Sequence, residues 1–206
     1  MDTFSSLSFL SLLTDSAQAQ GFSLASALDI DSADLSEPIR RYDDWLSRGF
    51  EGEMRYLVRG RDRRADPRLV YSKAQSILCV ALPYPAQPAG SDSPGEGVRY
   101  ARYTRGIDYH SRLPGMLESC LESVRAELLT RGEPRLEWKV CVDTSALLER
   151  TWAALAGIGW IGKNGMLIHP KHGSYLLLGF ALLDRKVENG PQPLPNFCGS
   201  CTRCFE

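Results

Sequence analysis

The chain has 206 residues and a formal net charge of −1 at pH 7, which allows one good-sized domain or two small ones and excludes a uniformly basic nucleic-acid binder, though not a local basic face. Its composition, 43% hydrophobic and 24% charged, is that of an ordinary globular protein. No apolar run approaches the ~20 residues that span a bilayer, so no membrane association is expected.

Residues 3–19 interleave Leu with Ser at helical spacing and carry no Lys or Arg, which predicts an amphipathic helix stopped by Gly21 rather than a secretory signal. Ser36-Glu37-Pro38 reads as an N-cap with Pro just inside a second helix. Ile39, Tyr42, Trp45 and Leu46 form its apolar stripe, and Gly49 ends it. An Arg-rich stretch follows: Arg55, Arg59, Arg61, Arg63, Arg64 and Arg68. Together with Arg99, Arg102 and Arg105 it is a candidate basic rim, or equally a solvated charged face. Ser76 to Leu82 predicts a buried strand, and Pro83 to Gly97 a surface loop.

Asp108 to Arg131 carries the strongest helical period. Leu113, Leu117, Cys120, Leu121, Val124 and Leu128 share one face, and Gly132 follows as a stop. Leu136 to Val142 predicts a strand and Ala146 to Ala156 a helix. Met166 to His169 and Tyr175 to Leu183 read as a hairpin around the Pro170–Gly173 turn. The Pro-rich stretch 187–197 reads as a linker, dividing a domain over 1–186 from a terminal segment over 187–206. The partial alternation of strands and helices predicts a three-layer α/β (α+β) domain with a mixed sheet. No G-x-G-x-x-G follows a strand, which argues against a dinucleotide fold.

Four places carry candidate chemistry. Of six cysteines, Cys79, Cys120 and Cys141 lie singly in apolar segments, as small buried hydrophobes do. The other three, Cys198, Cys201 and Cys204, have the spacing that opens a ferredoxin-type [4Fe–4S] motif. A zinc site would want a second distant pair, which the chain lacks. This pattern fits a reducing, cytoplasmic setting. Asp143 sits where a strand gives way to a helix, a place suited equally to a ligand site and to an N-cap. Gly157, Gly159, Gly162 and Gly165, with Lys163 and Asn164 among them, would let backbone lie against a large ligand, or simply make a flexible loop. Tyr103 to His110 mixes aromatic, basic and acidic residues ahead of a helix. There Asp108 and His110 either face a polar ligand or a stacked base, or serve as a cap and a surface residue.

These pieces occur in one order that resembles the epoxyqueuosine reductases, from roughly Trp45 to the last residue. The segments that carry the resemblance are Arg64-Ala-Asp-Pro67, Tyr103 to His110, Val142-Asp143-Thr144 with Leu148-Glu149-Arg150, Gly157 to Asn164, Gly173-Ser174-Tyr175, and Cys198 to Cys204. The resemblance implies a nitroreductase-like α/β domain that binds cobalamin. It implies reduction of an epoxide on the wobble base of tRNA to an alkene, the last step of queuosine synthesis. Two [4Fe–4S] clusters would feed the electrons, from a low-potential donor of the flavodoxin or ferredoxin type. By the same resemblance Asp143 stands in the place of the proton donor, and Asp108 and His110 face the modified base. Arg64, Arg150, Lys163, Asn164, Leu167, His169, Ser174 and Leu178 fall in segments that surround cobalamin.

The partner is a tRNA with a queuosine-type anticodon, and the protein is expected to be a monomer. Asp108-Tyr-His110 begins like a cobalt-ligating D-x-H-x-x-G motif, but Leu113 stands where that Gly belongs, so His110 is not assigned to cobalt. Glu206 comes two residues before the expected fourth Cys. The chain therefore reads as an N-terminal portion cut within the first cluster motif. The alternative is a cobalamin-binding or trafficking module without turnover. A zinc- or cluster-bearing interaction domain is a third reading.

Overall fold

The structure is a computed structural model that describes residues 8–84, 101–104 and 107–205. Six helices and six strands appear among the described residues: α1 (Phe9–Ala19), β1 (Leu24–Asp29), α2 (Ser36–Ser47), α3 (Arg55–Arg59), α4 (Arg61–Ala65), β2 (Ser76–Pro83), α5 (Tyr109–Thr130), β3 (Trp138–Cys141), α6 (Glu149–Leu155), β4 (Trp160–Ile161), β5 (Leu167–Ile168) and β6 (Leu176–Leu183). None of the helices is long and apolar enough to cross a membrane.

The four longer strands form one sheet in the order β1-β2-β6-β3. Because side chains alternate across a strand, β2 and β6 feed two cores at once. Leu78, Val80, Ala181 and Leu183 pack against α1 and α5 through Leu13, Leu117 and Leu121. Ile77, Cys79, Phe180 and Leu182 pack on the other side against Trp152, Ala153 and Ala156 of α6. The three-layer α/β arrangement expected from the sequence is therefore present. The sheet itself differs from the mixed one expected, since β1·β2, β2·β6 and β3·β6 all pair antiparallel. Partial strand–helix alternation suggested crossovers between parallel neighbours; α5 does carry the chain from β2 to β3, which run in the same direction, but β6 lies between them and pairs antiparallel with both.

The long helical face of α5 is buried as its period predicts, from Leu113 to Leu128. Helix α1 ends at Ala19 with Gly21 at φ 93. The Phe22 N–H closes on the Ala17 carbonyl (3.1 Å) and the Gly21 N–H on that of Gln18 (2.9 Å), the paired closure that a left-handed glycine allows. Three expectations need correction. Ser36 is the first residue of α2 rather than its cap, and the Asp34 carboxylate accepts the Ser36 N–H at 2.9 Å. The supposed hairpin is split between two sheets. β5 pairs with β4 while β6 joins the main sheet, and only a bridge between His169 and Gly173 links the two arms. β1 carried no sequence signal, because Leu-Ala-Ser-Ala-Leu-Asp is poor in β-branched and aromatic residues; pairing with β2 makes it a strand.

The Pro-rich segment after β6 is docked rather than free. Val187 is buried and its N–H donates to the buried Ser76 hydroxyl at 2.7 Å. Gly190 lies so close to Leu28 that an added Cβ would sit 3.3 Å from its Cα.

Phe180 is fully buried at the centre of the sheet, facing Trp152 across the second core. Phe180→Ala should lower the unfolding free energy by about 3–5 kcal/mol, read as a reduced urea midpoint with an unchanged slope. A loss under about 1 kcal/mol would contradict this packing.

Candidate active site

β3 ends at Cys141, and two residues later the chain makes a tight turn. Asp143 has φ 56, the left-handed region that Asp tolerates better than most residues. The Thr144 N–H closes the turn on the Val142 carbonyl at 2.6 Å. Asp143 is not a helix cap. α6 begins six residues later at Glu149, and its cap position, Leu148, makes no side-chain hydrogen bond. The relation runs the other way, because Glu149 Oε1 accepts the Asp143 N–H at 2.9 Å. The Asp143 carboxylate is left free to point outward.

It meets His110. Asp108 caps α5, and its Oδ1 accepts both the His110 backbone N–H (2.9 Å) and a hydrogen bond from Nδ1 (2.8 Å). His110 Nε2 lies 3.2 Å from Asp143 Oδ2. Of the two readings of Asp108 left open by the sequence, the helix cap is present, and the same carboxylate also orients a histidine. The N–H of His110 and then its imidazole hold the Asp108 carboxyl below its ordinary value. Asp108 is therefore ionised and can only accept, so Nδ1 carries a proton. Asp108, then Asp143, raise the pKa of His110. Beside it the Tyr109 ring centroid lies 4.0 Å from that of His110. Burial, then the Asp143 charge, push the Tyr109 hydroxyl up to about 12.

Asp143 stands at the edge of a cleft of about 1020 Å³. One wall is α2, which contributes Tyr42 and Trp45; the other is α6, with Leu148, Glu149, Arg150 and Leu155. Gly159, Trp160, Ile161 and Gly165 complete it. Sequence reading gave α2 an apolar stripe but no purpose beyond packing. In the fold no residue of α2 is fully buried, and Tyr42 and Trp45 of that stripe face the cleft. Arg64 reaches into the same space over the Tyr42 ring (5.8 Å), and its buried Nη1 has no hydrogen-bond partner among the described residues. Arg150 donates to the Gly165 carbonyl. Burial above all carries the Glu149 carboxyl up to about 7. An apolar cleft with a few converging polar groups, one of them unsatisfied, is built to take a sizeable ligand.

The family described as "Epoxyqueuosine reductase QueG, DUF1730" matches residues 64–144. The epoxyqueuosine reductase of Gloeobacter violaceus is 37% identical over 189 residues, covering 92% of this chain and 56% of that protein. That of Synechococcus sp. (strain RCC307) is 36% identical over 201 residues, covering 94% and 57%. The chain is thus similar to epoxyqueuosine reductases over nearly its whole length. It spans about half the length of the curated relatives it matches. A crystal structure of epoxyqueuosine reductase with an epoxyqueuosine-modified tRNA stem loop matches with a TM-score of 0.70 at 26% identity, over 94% of this chain and 49% of that one. A Bacillus subtilis epoxyqueuosine reductase with its catalytic aspartate loop swung out of the active site matches at 0.69 and 25%, over the same shares. A reductive dehalogenase whose structure suggests a B12-dependent mechanism shares the fold at 15% identity, with a TM-score of 0.52 over 90% of this chain and 21% of that one.

The remaining candidate residues divide. Arg64, Arg150 and Asp143 line the cleft; Lys163, Asn164, Leu167, His169, Ser174 and Leu178 are not among its lining residues. Lys163 Nζ donates to the carbonyls of Gly199 (2.8 Å) and Cys201 (3.0 Å). Asn164 Oδ1 accepts the Met166 N–H at 3.1 Å. Leu167 is buried in the second core and Leu178 packs against it. His169 Nδ1 accepts the N–H groups of Lys171 and His172, both at 3.2 Å, and burial lowers its pKa. Ser174 is half-buried between the arms of the split hairpin.

Most of the glycines serve internal packing rather than ligand approach. A Cβ on Gly157 would meet the Gln192 carbonyl at 2.9 Å, and Cβ atoms on Gly159 and Gly162 would collide with Ile168. Of the arginine rim, Arg61 pairs with Asp43 and Arg68 with Asp31 and Asp66. Arg102 lies over the Tyr175 ring at 5.4 Å. Arg99 and Arg105 lie outside the described residues.

The cysteine segment docks on the loop: the Trp160 indole N–H donates to Cys198 Sγ at 3.3 Å, and with the Lys163 N–H lowers the pKa of that thiol. Cys201 and Cys204 are exposed. No group of three His, Cys, Asp or Glu side chains converges on one point among the described residues.

The carboxylates on either side of His110 set its proton affinity, so its NMR titration should show a midpoint above the unperturbed ~6.5, and Asp108→Asn and Asp143→Asn should each lower it. The raised value means that these contacts favour the fold fully below the ordinary histidine pKa, a contribution lost as pH rises through the folded one. A midpoint that neither variant moves would show that the three side chains are not coupled.

Proposed function

We propose that this chain is the cobalamin-binding catalytic portion of an epoxyqueuosine reductase, acting on the modified wobble base of tRNA. The observation that carries the reading is the Asp108–His110–Asp143 line ending at the edge of the cleft. The resident group to be fitted is a corrinoid. The cleft suits it by its size, by its apolar walls around Tyr42 and Trp45, and by the unsatisfied Arg64 Nη1. Arg64 and Arg150 would hold its polar periphery, with the backbone of Gly159 to Gly165 along one edge. Cobalamin, when bound, supplies the two-electron reducing chemistry. The three cysteines as arranged here do not form a cluster site among the described residues, so no step is routed through one.

Reduction of an epoxide to an alkene takes up two electrons and two protons and releases water. The chain's own residues account for delivery of one of the two protons, the second being taken from solvent water. With Nδ1–H fixed by Asp108, one proton remains on the line between His110 Nε2 and Asp143 Oδ2. It rests on the imidazole or on the carboxyl. Negative charge developing on the epoxide oxygen draws it onto Asp143 and across to the substrate. Asp108 acts as the orienting carboxylate does in a catalytic triad. The modified base leaves the anticodon stack to reach Asp143, since chemistry on a base requires it to be exposed. The swung-out aspartate loop of the Bacillus subtilis relative has its counterpart, on this reading, in the tight turn at Asp143.

The test is single-turnover reduction of an epoxyqueuosine-modified tRNA stem loop with cobalamin and a low-potential chemical reductant supplied directly. No electron path through the cysteine segment is then needed. Asp143→Asn keeps the shape and should slow product formation ~10²–10⁴-fold, with corrinoid content and thermal stability unchanged. A near-normal rate would overturn the role of Asp143. Bound corrinoid with no product from the unaltered chain would favour a binding or trafficking module instead.

A further inference from the structure

Glu149 is a half-buried titratable group to which proton delivery assigns no task. It opens α6 at the floor of the cleft, and the one hydrogen bond found for its carboxyl is accepted from the Asp143 backbone. Asp143 in turn holds a conformation that few non-glycine residues adopt; Asn189 is its only counterpart among the described residues. Two ties fix this backbone: the Thr144 N–H to the Val142 carbonyl, within the turn itself, and the Asp143 N–H to Glu149, across to α6. Among the described residues the second alone anchors the turn to another element through its main chain.

We propose that Glu149 is a positioning residue whose carboxylate holds the left-handed turn, and with it the Asp143 carboxyl, at the edge of the cleft, and that protonation of Glu149 loosens this hold. The proposal rests on the reading of Asp143 as the proton donor.

The surroundings make the hold pH-dependent. The Asp143 carboxylate opposes ionisation of Glu149, while Arg150 and Arg64 favour it. Cys141 at the end of β3 and Tyr109 at the head of α5 lie within its field. His110 acts on it through Asp143, and α2 adds Glu37 and Arg41 to the cleft wall. Burial dominates and carries Glu149 from an ordinary 4.5 to about 7. The sign has two consequences. The neutral carboxyl favours the fold, fully below the ordinary glutamate value, and this contribution is lost as pH rises through about 7. The ionised carboxylate, however, is the stronger acceptor for an N–H. Rising pH therefore costs global stability while it tightens the tie on Asp143.

The experiment follows the Asp143 amide of this chain by ¹⁵N–¹H NMR from about pH 5 to about pH 9. The amide proton should move downfield with a midpoint near that of Glu149. Glu149→Gln retains an acceptor, so the amide should stay protected from exchange while its titration disappears. Glu149→Ala should make that amide exchange roughly tenfold faster, since a hydrogen bond to a charged group is lost. A flat Asp143 amide, or a titration that persists in Glu149→Gln and so arises from His110, overturns the proposal. None of these readouts depends on turnover. A failure of Asp143→Asn to slow the reaction is thus distinguishable from a failure of Glu149 to hold the turn.

Discussion

The chain leaves the sheet at the end of β3 and reverses within three residues at Asp143, and the rest of the site is arranged around that turn. An extended exit would have carried the carboxylate away from α5. The left-handed conformation aims it at His110 instead. Such a conformation costs of order 1–3 kcal/mol and persists where the surroundings impose it. Here the main chain is held by Glu149 from α6 and the side chain by His110 from α5. Both helices are packed on the sheet, on opposite faces, through α5 and Trp152. The two layers of the core therefore meet at one residue, and the geometry of the acid is fixed by the packing of both.

The cleft combines rigid and loose parts. Its floor is α6, whose Trp152 and Ala153 are buried in the core. Its wall is α2, where no residue is fully buried, followed by the short α3 and α4, which also bury none. Segments with few buried contacts open at low free energy, so a large flat ligand has a wall that can adjust while the Asp143 carboxylate stays in register. On the far side, Trp160 both lines the cleft and donates to Cys198, and Lys163 grips two carbonyls of the cysteine segment. β4 and the loop that follows it thus tie the cysteines to the cleft.

What was legible in the sequence is what depends on local periodicity. The buried face of α5 and the glycine stops of its helices follow from spacing and from backbone freedom, which neighbours along the chain report. β2 was likewise evident, as an unbroken apolar run. β1 was not, because an Ala- and Ser-rich edge strand owes its form to its partner. The hairpin after Met166 was assigned by proximity, but its first arm pairs with β4 just upstream and its second with β2, far off in sequence. Asp143 was singled out for its place at a strand end, yet its rival role as a cap could be settled only by seeing α6 begin at Glu149. Glu149 itself was quoted within a motif and given no role. A carboxylate that reaches back six residues to a main-chain N–H leaves no mark in composition or period. Its burial, which sets its proton affinity, is a property of the assembled cleft.

The most direct test of the account is a spectrophotometric titration of the folded chain with a corrinoid, followed by gel filtration. A stoichiometric complex should form, with the corrinoid spectrum travelling with the protein. Arg64→Leu, which removes the unsatisfied guanidinium from the cleft, should weaken it without unfolding the chain. A folded protein that elutes colourless would contradict the central claim that this cleft, beside Asp143, is a cofactor site.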